Sequence, residues 1–316
     1  MRRATSNTQR LEEFDVEFVT ADVTDPKSLP AALERVDVVY HLAGLVKAFR
    51  RADFDRVNVL GTNNLLEAAA ARESPPVVVV VSSLAAAGPA PSDRALNETD
   101  TPQPVSLYGK SKLAAEQAAA QFADKVPLSV VRPPIVFGEG DRDVFEMFKP
   151  IAQHGLHVVA GSGRGRFSLV YAADLATAVH CVGRSGERIT SPSEAKGQGW
   201  YYAAHEEQPT YSELGDIIGQ GLARDRVRVL RMPIALAWVA AAGSEMAGRI
   251  RRKPQILNFD KIREARAGGW SCSAVKITSQ LDWRPGASLQ ERINQTAEWY
   301  IEQGWLKHPK KKRPKK

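Results

Sequence analysis

The sequence predicts a doubly wound α/β fold, a parallel sheet covered by helices on both faces. Val77 to Val81 are five consecutive valines, with Pro75 and Pro76 before them and Gly88 and Pro89 after. Such a run reads as a strand buried on both faces, as in a helix-covered parallel sheet. Val36 to Tyr40 and Leu128 to Val131 are two further apolar strands. Between the strands the pattern turns helical, over Val57 to Ala71 and Tyr108 to Phe122, and this alternation is the mark of such a sheet.

Each element has a local reason. Asp25 ahead of Pro26 caps a helix that ends near Arg35. The Val36 strand runs directly into His41-Leu42-Ala43-Gly44, whose small residues let backbone approach a ligand closely. The valine strand ends in Ser82 and Ser83, where functional residues of parallel sheets sit. Leu128 to Val131 delivers Arg132-Pro133-Pro134 at its end. Thr210-Tyr211-Ser212-Glu213 forms a capping box, and Leu281 to Pro285 precede a last helix through Gln303. Two glycine clusters, Gly138 to Gly140 and Gly161 to Gly165, read as loops, since neither follows a strand while opening a helix. Met232 to Gly243 is strongly apolar but falls short of the roughly 20 residues of a spanning helix. Its default reading is a helix over an apolar substrate or in the core, with peripheral membrane contact as the alternative.

The formal net charge of +7 resides in one place. Residues 307 to 316 hold seven basic side chains and no acid, so the rest of the chain is neutral. A Pro-broken basic tail without interleaved aromatics reads as solvated and disordered, and nucleic acid is an unlikely partner. Cys181 and Cys272 are too few for a disulfide framework, and no Cys/His spacing suits zinc, so a reducing, cytoplasmic setting without a metal is expected.

Chemistry is expected at Tyr108 and Lys112. They lie four apart on one helix face, so an ammonium at Lys112 can sit beside the Tyr108 hydroxyl and favour its phenolate. A serine at the end of the valine strand would orient a carbonyl or hydroxyl oxygen.

With these pieces the chain resembles the extended short-chain dehydrogenase/reductase family, also described as the NAD-dependent epimerase/dehydratase family. The matching stretches are Ala21 to Asp25, His41 to Gly44, Val57 to Thr62, Ser82-Ser83, Tyr108 to Lys112, Arg132 to Gly138 and Leu169 to Ala176, in the family's order and spacing. The resemblance implies a Rossmann-type sheet and NADP or NAD as cofactor. Ser83, Tyr108 and Lys112 would be catalytic, Ser83 being better placed than Ser82 because it lies five residues before Gly88. Asp22 and Val23 would lie by the adenine; Leu42, Ala43 and Gly44 would line the cofactor; Asn58 would brace the site. Lys112 would also hold the nicotinamide ribose, and Pro133 with Pro134 would wall the nicotinamide. For Asp22 and Asn58, a turn residue and a helix-packing amide are the competing readings.

One family element is absent from the sequence. The earliest glycine is Gly44, so the first strand, its Gly-rich phosphate turn and the first helix are missing. The expectation is a truncated start, with one βα unit on the order of 30 residues encoded upstream; a stop codon ahead of Met1 before any Gly-rich segment would refute it. Residues 1–137 and 168–205 are expected to form the truncated NAD(P)-binding domain, 138–167 and 206–306 a smaller α/β substrate lobe, and 307–316 the tail.

For substrate, Pro134 and Phe167 stand where sugar-nucleotide members carry diphosphate donors. The stretch Ser82 to Pro89 and the Trp-rich C-terminal region look instead like the dihydroflavonol-4-reductase and 3-beta-hydroxysteroid dehydrogenase branch. The resemblance therefore implies hydride transfer between a nicotinamide and a ring or small-molecule carbonyl or alcohol. A nucleotide-sugar epimerase or dehydratase, and a non-catalytic fragment, remain as alternatives. A homodimer through the Val57 and Leu113 helices is common in similar proteins.

Overall fold

The structure is a computed structural model that describes residues 8–190, 197–251 and 258–307. The N-terminal stretch through Asn7 and the tail from His308 onward lie outside the described residues.

The strands follow the predicted pattern. β1 (Val38–His41), β2 (Val77–Val81), β3 (Leu128–Arg132) and β7 (Trp200–Tyr202) form a fully parallel sheet in the order β1-β2-β3-β7. Two parallel pairs stand beside it. β4 (Ile135–Phe137) joins β6 (Leu169–Tyr171), and β5 (Leu156–Ala160) joins β8 (Arg228–Met232). Pro133 and Pro134 mark the point where the chain leaves β3 and enters β4. All five residues of β3 are buried, as are the three central valines of β2, which is the burial that the unbroken apolar runs require.

Five long helices position the site and its surroundings: α1 (Gly61–Ala70), α2 (Leu107–Ala120), α3 (Phe145–His154), α4 (Ala172–Ser185) and α5 (Tyr211–Gly221). Three more follow, α6 (Ile234–Ile250), α7 (Phe259–Arg266) and α8 (Leu289–Glu302). Leu65, Leu66 and Ala119 pack under one face of the sheet with Val78, Val80, Leu128 and Val130. On the other face Val79, Val131 and Tyr201 meet Ala178 and Val182 of α4. A separate core joins α3, α5 and α8 through Phe148, Ile218, Ile293 and Tyr300.

Four local expectations are corrected. Asp25 does accept from Lys27 N–H ahead of Pro26, but it caps a 3₁₀ turn (Pro26–Ser28) and a single helical turn (Leu29–Ala32) rather than one helix to Arg35, whose φ of 55° ends the segment. The Val57 helix begins as a π-helical turn, Asp55–Leu60, before α1. The apolar segment at Met232 is part of a longer helix than its hydropathy suggests, continuing to Ile250. Both glycine clusters are turns with positive φ, at Gly138, Gly140, Gly161 and Gly163, but each directly follows a strand, and Gly138 to Gly140 leads from β4 to α3, against the expectation. The predicted capping box at Thr210 and Glu213 is present.

β1 is one edge of the main sheet among the described residues, with Tyr40 and Leu42 exposed there. Residues 13–19 ahead of it carry no regular element, and Phe14, Val16 and Phe18 face solvent.

Candidate active site

Tyr108 stands in the first turn of α2, a helix started by Ser106, whose hydroxyl accepts from Gly109 N–H at 3.0 Å. Ser83 caps the short turn after β2, its Oγ accepting from Ala85 N–H at 3.1 Å, and it stands near enough to the Tyr108 phenol to lower its pKa. Neighbouring Ser82 points the other way. Its hydroxyl donates to the buried Glu116 carboxylate, so of the two serines only Ser83 meets Tyr108. The close pass of α2 over the end of β2 depends on Gly109, where a Cβ would sit 2.3 Å from the Ala85 carbonyl oxygen.

Lys112 is buried and its Nζ donates to the Val81 carbonyl at 2.8 Å. Burial holds its pKa down to about 8, against the opposing pull of Glu116. Tyr108 moves the opposite way from the expectation. Burial pushes its phenol up to about 12; the Ser83 hydrogen bond works against that rise, and the negative charge of Glu264 adds to it. The expected phenolate stabilisation by Lys112 is thus absent from the protein's own groups, because the ammonium is drawn to a strand-end carbonyl while desolvation favours the neutral phenol. Burial thus keeps the Tyr108 phenol protonated across the neutral range.

Asn58 sits in the π-helical turn, and that local widening places its amide between two segments. Its Oδ1 accepts from Leu45 N–H at 2.7 Å, while Nδ2 donates to the Leu45 carbonyl and to Ser111 Oγ at 2.9 Å. Ser111 in turn donates to the Tyr108 carbonyl. The amide therefore ties the loop after β1 to α2, a bracing contact made with every one of its stated bonds. A Cβ at Gly44 would lie 3.2 Å from Asn58 Oδ1 and 3.7 Å from Lys112 Nζ, so Gly44 brings bare backbone against the site. Leu42, Ala43 and Gly44 are exposed. His41 just before them is buried, shares a 2.9 Å hydrogen bond with Thr62 and stays neutral, its pKa lowered to about 3 by burial and then by Lys112.

Asp22 and Val23 lie at a turn by α1. Asp22 accepts from the Thr24 N–H and hydroxyl, and Val23 is buried against Gly61. Pro133 is buried, and its carbonyl accepts from Leu84 N–H; Pro134 is half-buried beside it.

Sequence reading missed the far wall. Tyr108 opens into a cavity of about 180 Å³ shared with Val46, Phe54, Glu245, Phe259 and Asp260. Asp260 Oδ2 accepts from Leu107 N–H at 2.9 Å and from Tyr108 N–H at 3.3 Å, so α7 caps α2 from more than 150 residues away. The only signal was Asn258, a helix-opening residue that does cap α7; nothing local shows that Asp260 reaches α2.

A sequence profile of the NAD dependent epimerase/dehydratase family matches residues 1–194. The chain belongs to that family. Its members here include a ceramide reductase of Caulobacter vibrioides, 27% identical over 299 residues that span 93% of this chain and 83% of the relative. A decarboxylating sterol-4-alpha-carboxylate 3-dehydrogenase of Candida albicans is 24% identical over 300 residues, 91% of this chain and 83% of its own length. The family fold is shared with a dTDP-glucose 4,6-dehydratase of Streptomyces venezuelae solved with NAD and TYD bound, at TM-score 0.71, 21% identity and coverage of 95% and 86% of the two chains.

Proposed function

We propose that the protein is an NAD(P)-dependent oxidoreductase that reduces a carbonyl on an apolar or ring-bearing molecule, or oxidises the matching alcohol. The observation that carries this reading is Tyr108, its phenol kept protonated by burial and acted on by Ser83, the residue itself lining a cavity walled by Phe54 and Phe259. A ceramide reductase and a sterol dehydrogenase among the relatives support an apolar substrate.

The residues present fit the nicotinamide half of the cofactor. Lys112 Nζ lies beside the bare backbone of Gly44, and the exposed Leu42 to Gly44 offer a surface for a flat ligand. Pro133 and Pro134 flank the ends of β3 and β4. Among the described residues the glycine pair that leads from a strand into a helix, Gly138 and Gly140 between β4 and α3, lacks the third glycine of a dinucleotide-binding turn, so the fit is to that half alone. When bound, the cofactor supplies the hydride. Ser83 and Tyr108 then orient the substrate oxygen and Tyr108 donates its proton as negative charge develops there, while the Lys112 ammonium holds a positive charge beside the Gly44 backbone that would face the cofactor.

A sugar-nucleotide substrate is the second reading, because the dehydratase shares the fold. The cavity's charges argue against it. Each of its cations already has an acidic partner: Lys47 with Asp143, Lys261 with Glu264 and Arg263 with Asp260, at 2.5, 2.8 and 2.7 Å. Glu245 adds a further negative charge, so no surplus of cations awaits a diphosphate.

Tyr108→Phe removes the proton donor and little else. Reduction of a long-chain or cyclic ketone is expected to fall by about 100-fold or more, with cofactor affinity by fluorescence titration within about two-fold, since one hydroxyl outside the cofactor's own bonds is lost. Unchanged turnover in the variant would end the assignment.

A further inference from the structure

One side of α6 is an uncovered apolar stripe. Leu236, Val239, Met246 and Ile250 are 58%, 69%, 67% and 79% exposed, and their spacing of three, seven and four residues puts them on one helix face. The gap between Val239 and Met246 is Gly243, where a Cβ would meet nothing within 4 Å. The β5/β8 ribbon exposes a second apolar pair. Val158 and Leu230 are paired across it and exposed, on the same ribbon face as Ala160 and Met232, which pack against α6. Scattered apolar side chains on a surface need no explanation, but an aligned stripe about 20 Å long by helical rise does.

The rim of the patch is basic. Residues 228–251 carry Arg228, Arg231, Arg249 and Arg251, all exposed, against a single acid, Glu245, which bonds Arg249 at 3.0 Å. Among the described residues no helix is long and apolar enough to cross a membrane, so a stripe of this kind with arginines at both ends suits the plane of a lipid surface rather than its interior. The other side of the same helix reaches the active site. Ala237 and Ala241 are buried against Ile262 of α7, Trp238 stacks near Phe259 with ring centroids 5.5 Å apart, and Glu245 and Phe259 line the cavity that holds Tyr108.

We propose that α6 docks on an anionic lipid bilayer, with its apolar stripe among the acyl chains and its arginines at the headgroups, placing the mouth of the Tyr108 cavity at the membrane surface. The substrate is then an amphiphilic carbonyl compound that enters from the lipid. This last step rests on the oxidoreductase reading above; the docking itself rests only on α6 and the ribbon. A second copy of the chain is the weaker occupant, because a two-fold contact through this face brings the same arginine rim against itself.

Flotation of the full chain with phosphatidylcholine vesicles, with and without phosphatidylglycerol, tests the docking. The chain is expected to float with the phosphatidylglycerol vesicles and to stay behind with phosphatidylcholine alone. Leu236→Asp combined with Met246→Asp is expected to abolish flotation while leaving turnover of a short, water-soluble ketone unchanged and removing turnover of a long-chain ketone embedded in vesicles. Arg231→Gln with Arg251→Gln, which leaves the stripe intact, is expected to weaken vesicle binding about thirty-fold. The double aspartate variant retains the basic C-terminal residues, so flotation of that variant at the wild-type level would assign binding to them and overturn the proposal. Failure of the wild-type chain to float would also overturn it, as would a dimer in solution that the aspartates convert to monomer without any wild-type flotation. Flotation without reduction of any ketone would instead leave the docking standing and reject the oxidoreductase reading.

Discussion

The two ends of α2 are held by opposite kinds of contact. Toward its C-terminal half, Glu116 is 1% exposed and takes three bonds from the Arg132 guanidinium, one from the Ser82 hydroxyl and one from the Trp200 indole. All four groups belong to the main sheet, to the end of one of its strands or to the helix lying on it. At its N-terminal end the helix is held by Asp260, which belongs to α7, sits at the edge of the cavity and also pairs with Arg263. Tyr108 and Lys112 lie between a clamp fixed on the sheet and one carried by α7. The sheet therefore sets where the chemistry occurs, while the elements over the cavity set how well the phenol is aimed.

Breaking the fixed clamp has the largest expected effect. Glu116→Gln leaves the Arg132 charge buried with a neutral partner, and one-sided loss of a buried ion pair is worth about 3–5 kcal/mol. Urea unfolding is expected to show that loss as a lower midpoint with an unchanged slope. Replacing both partners by apolar residues, Glu116→Leu with Arg132→Met, is expected to restore most of it, because no charge is then left unpaired. A single substitution that shifts stability by less than about 1 kcal/mol would show that the sheet end is no firmer than the other.

The same contrast explains how much of the molecule was legible in its sequence. The valine run of β2, the strand-end serines and the i, i+4 pair on α2 are all local signals, and each strand and helix they imply is present. Register across the parallel sheet was not legible, because a strand apolar on both faces offers no alternation to fix its pairing. The ionisation of Tyr108 was not legible. Spacing shows that a lysine shares its helix face, but which carbonyl captures the ammonium and how far the phenol is desolvated depend on packing between distant segments. Asp260 escaped notice for the same reason: its role is a contact between α7 and α2, and neither stretch advertises the other. The π-helical turn at Asp55–Leu60 was likewise hidden, since its apolar spacing is that of an ordinary helix.

The second prediction concerns the group between the clamps. Lys112 has its pKa lowered from its ordinary value to about 8, so its ammonium is present below that pH and lost above it. Tyr108, raised to about 12, keeps its proton throughout the same range and contributes no limb of its own. The kcat/KM for ketone reduction is thus expected to be flat below pH 7 and to fall about ten-fold per pH unit well above pH 8. Lys112→Arg keeps a charge that does not titrate here and is expected to move that limb beyond pH 10. A limb that stays near 8 in the arginine variant would assign it to another group, and would detach Lys112 from the proton transfer.

The smallest effect is expected at the clamp carried by α7. Asp260 is a positioning residue: it touches the backbone of Leu107 and Tyr108 and reaches no reacting atom. Removing a carboxylate acceptor from the first turn of a helix is worth about 1 kcal/mol. Asp260→Ala is therefore expected to lower kcat about five-fold by that energy, with KM and the pH profile little changed. Asp260→Asn keeps an oxygen facing the same two N–H groups and is expected to recover most of the rate. Because Asp260 also neutralises Arg263, a substitution that frees that arginine could act through the cavity's charge instead. Arg263→Gln separates the two effects: if it lowers kcat as much as Asp260→Ala does, charge rather than the hold on α2 governs the rate. A rate unchanged by Asp260→Ala would mean that Ser106 alone fixes the first turn, and that the sheet holds both ends of α2 after all.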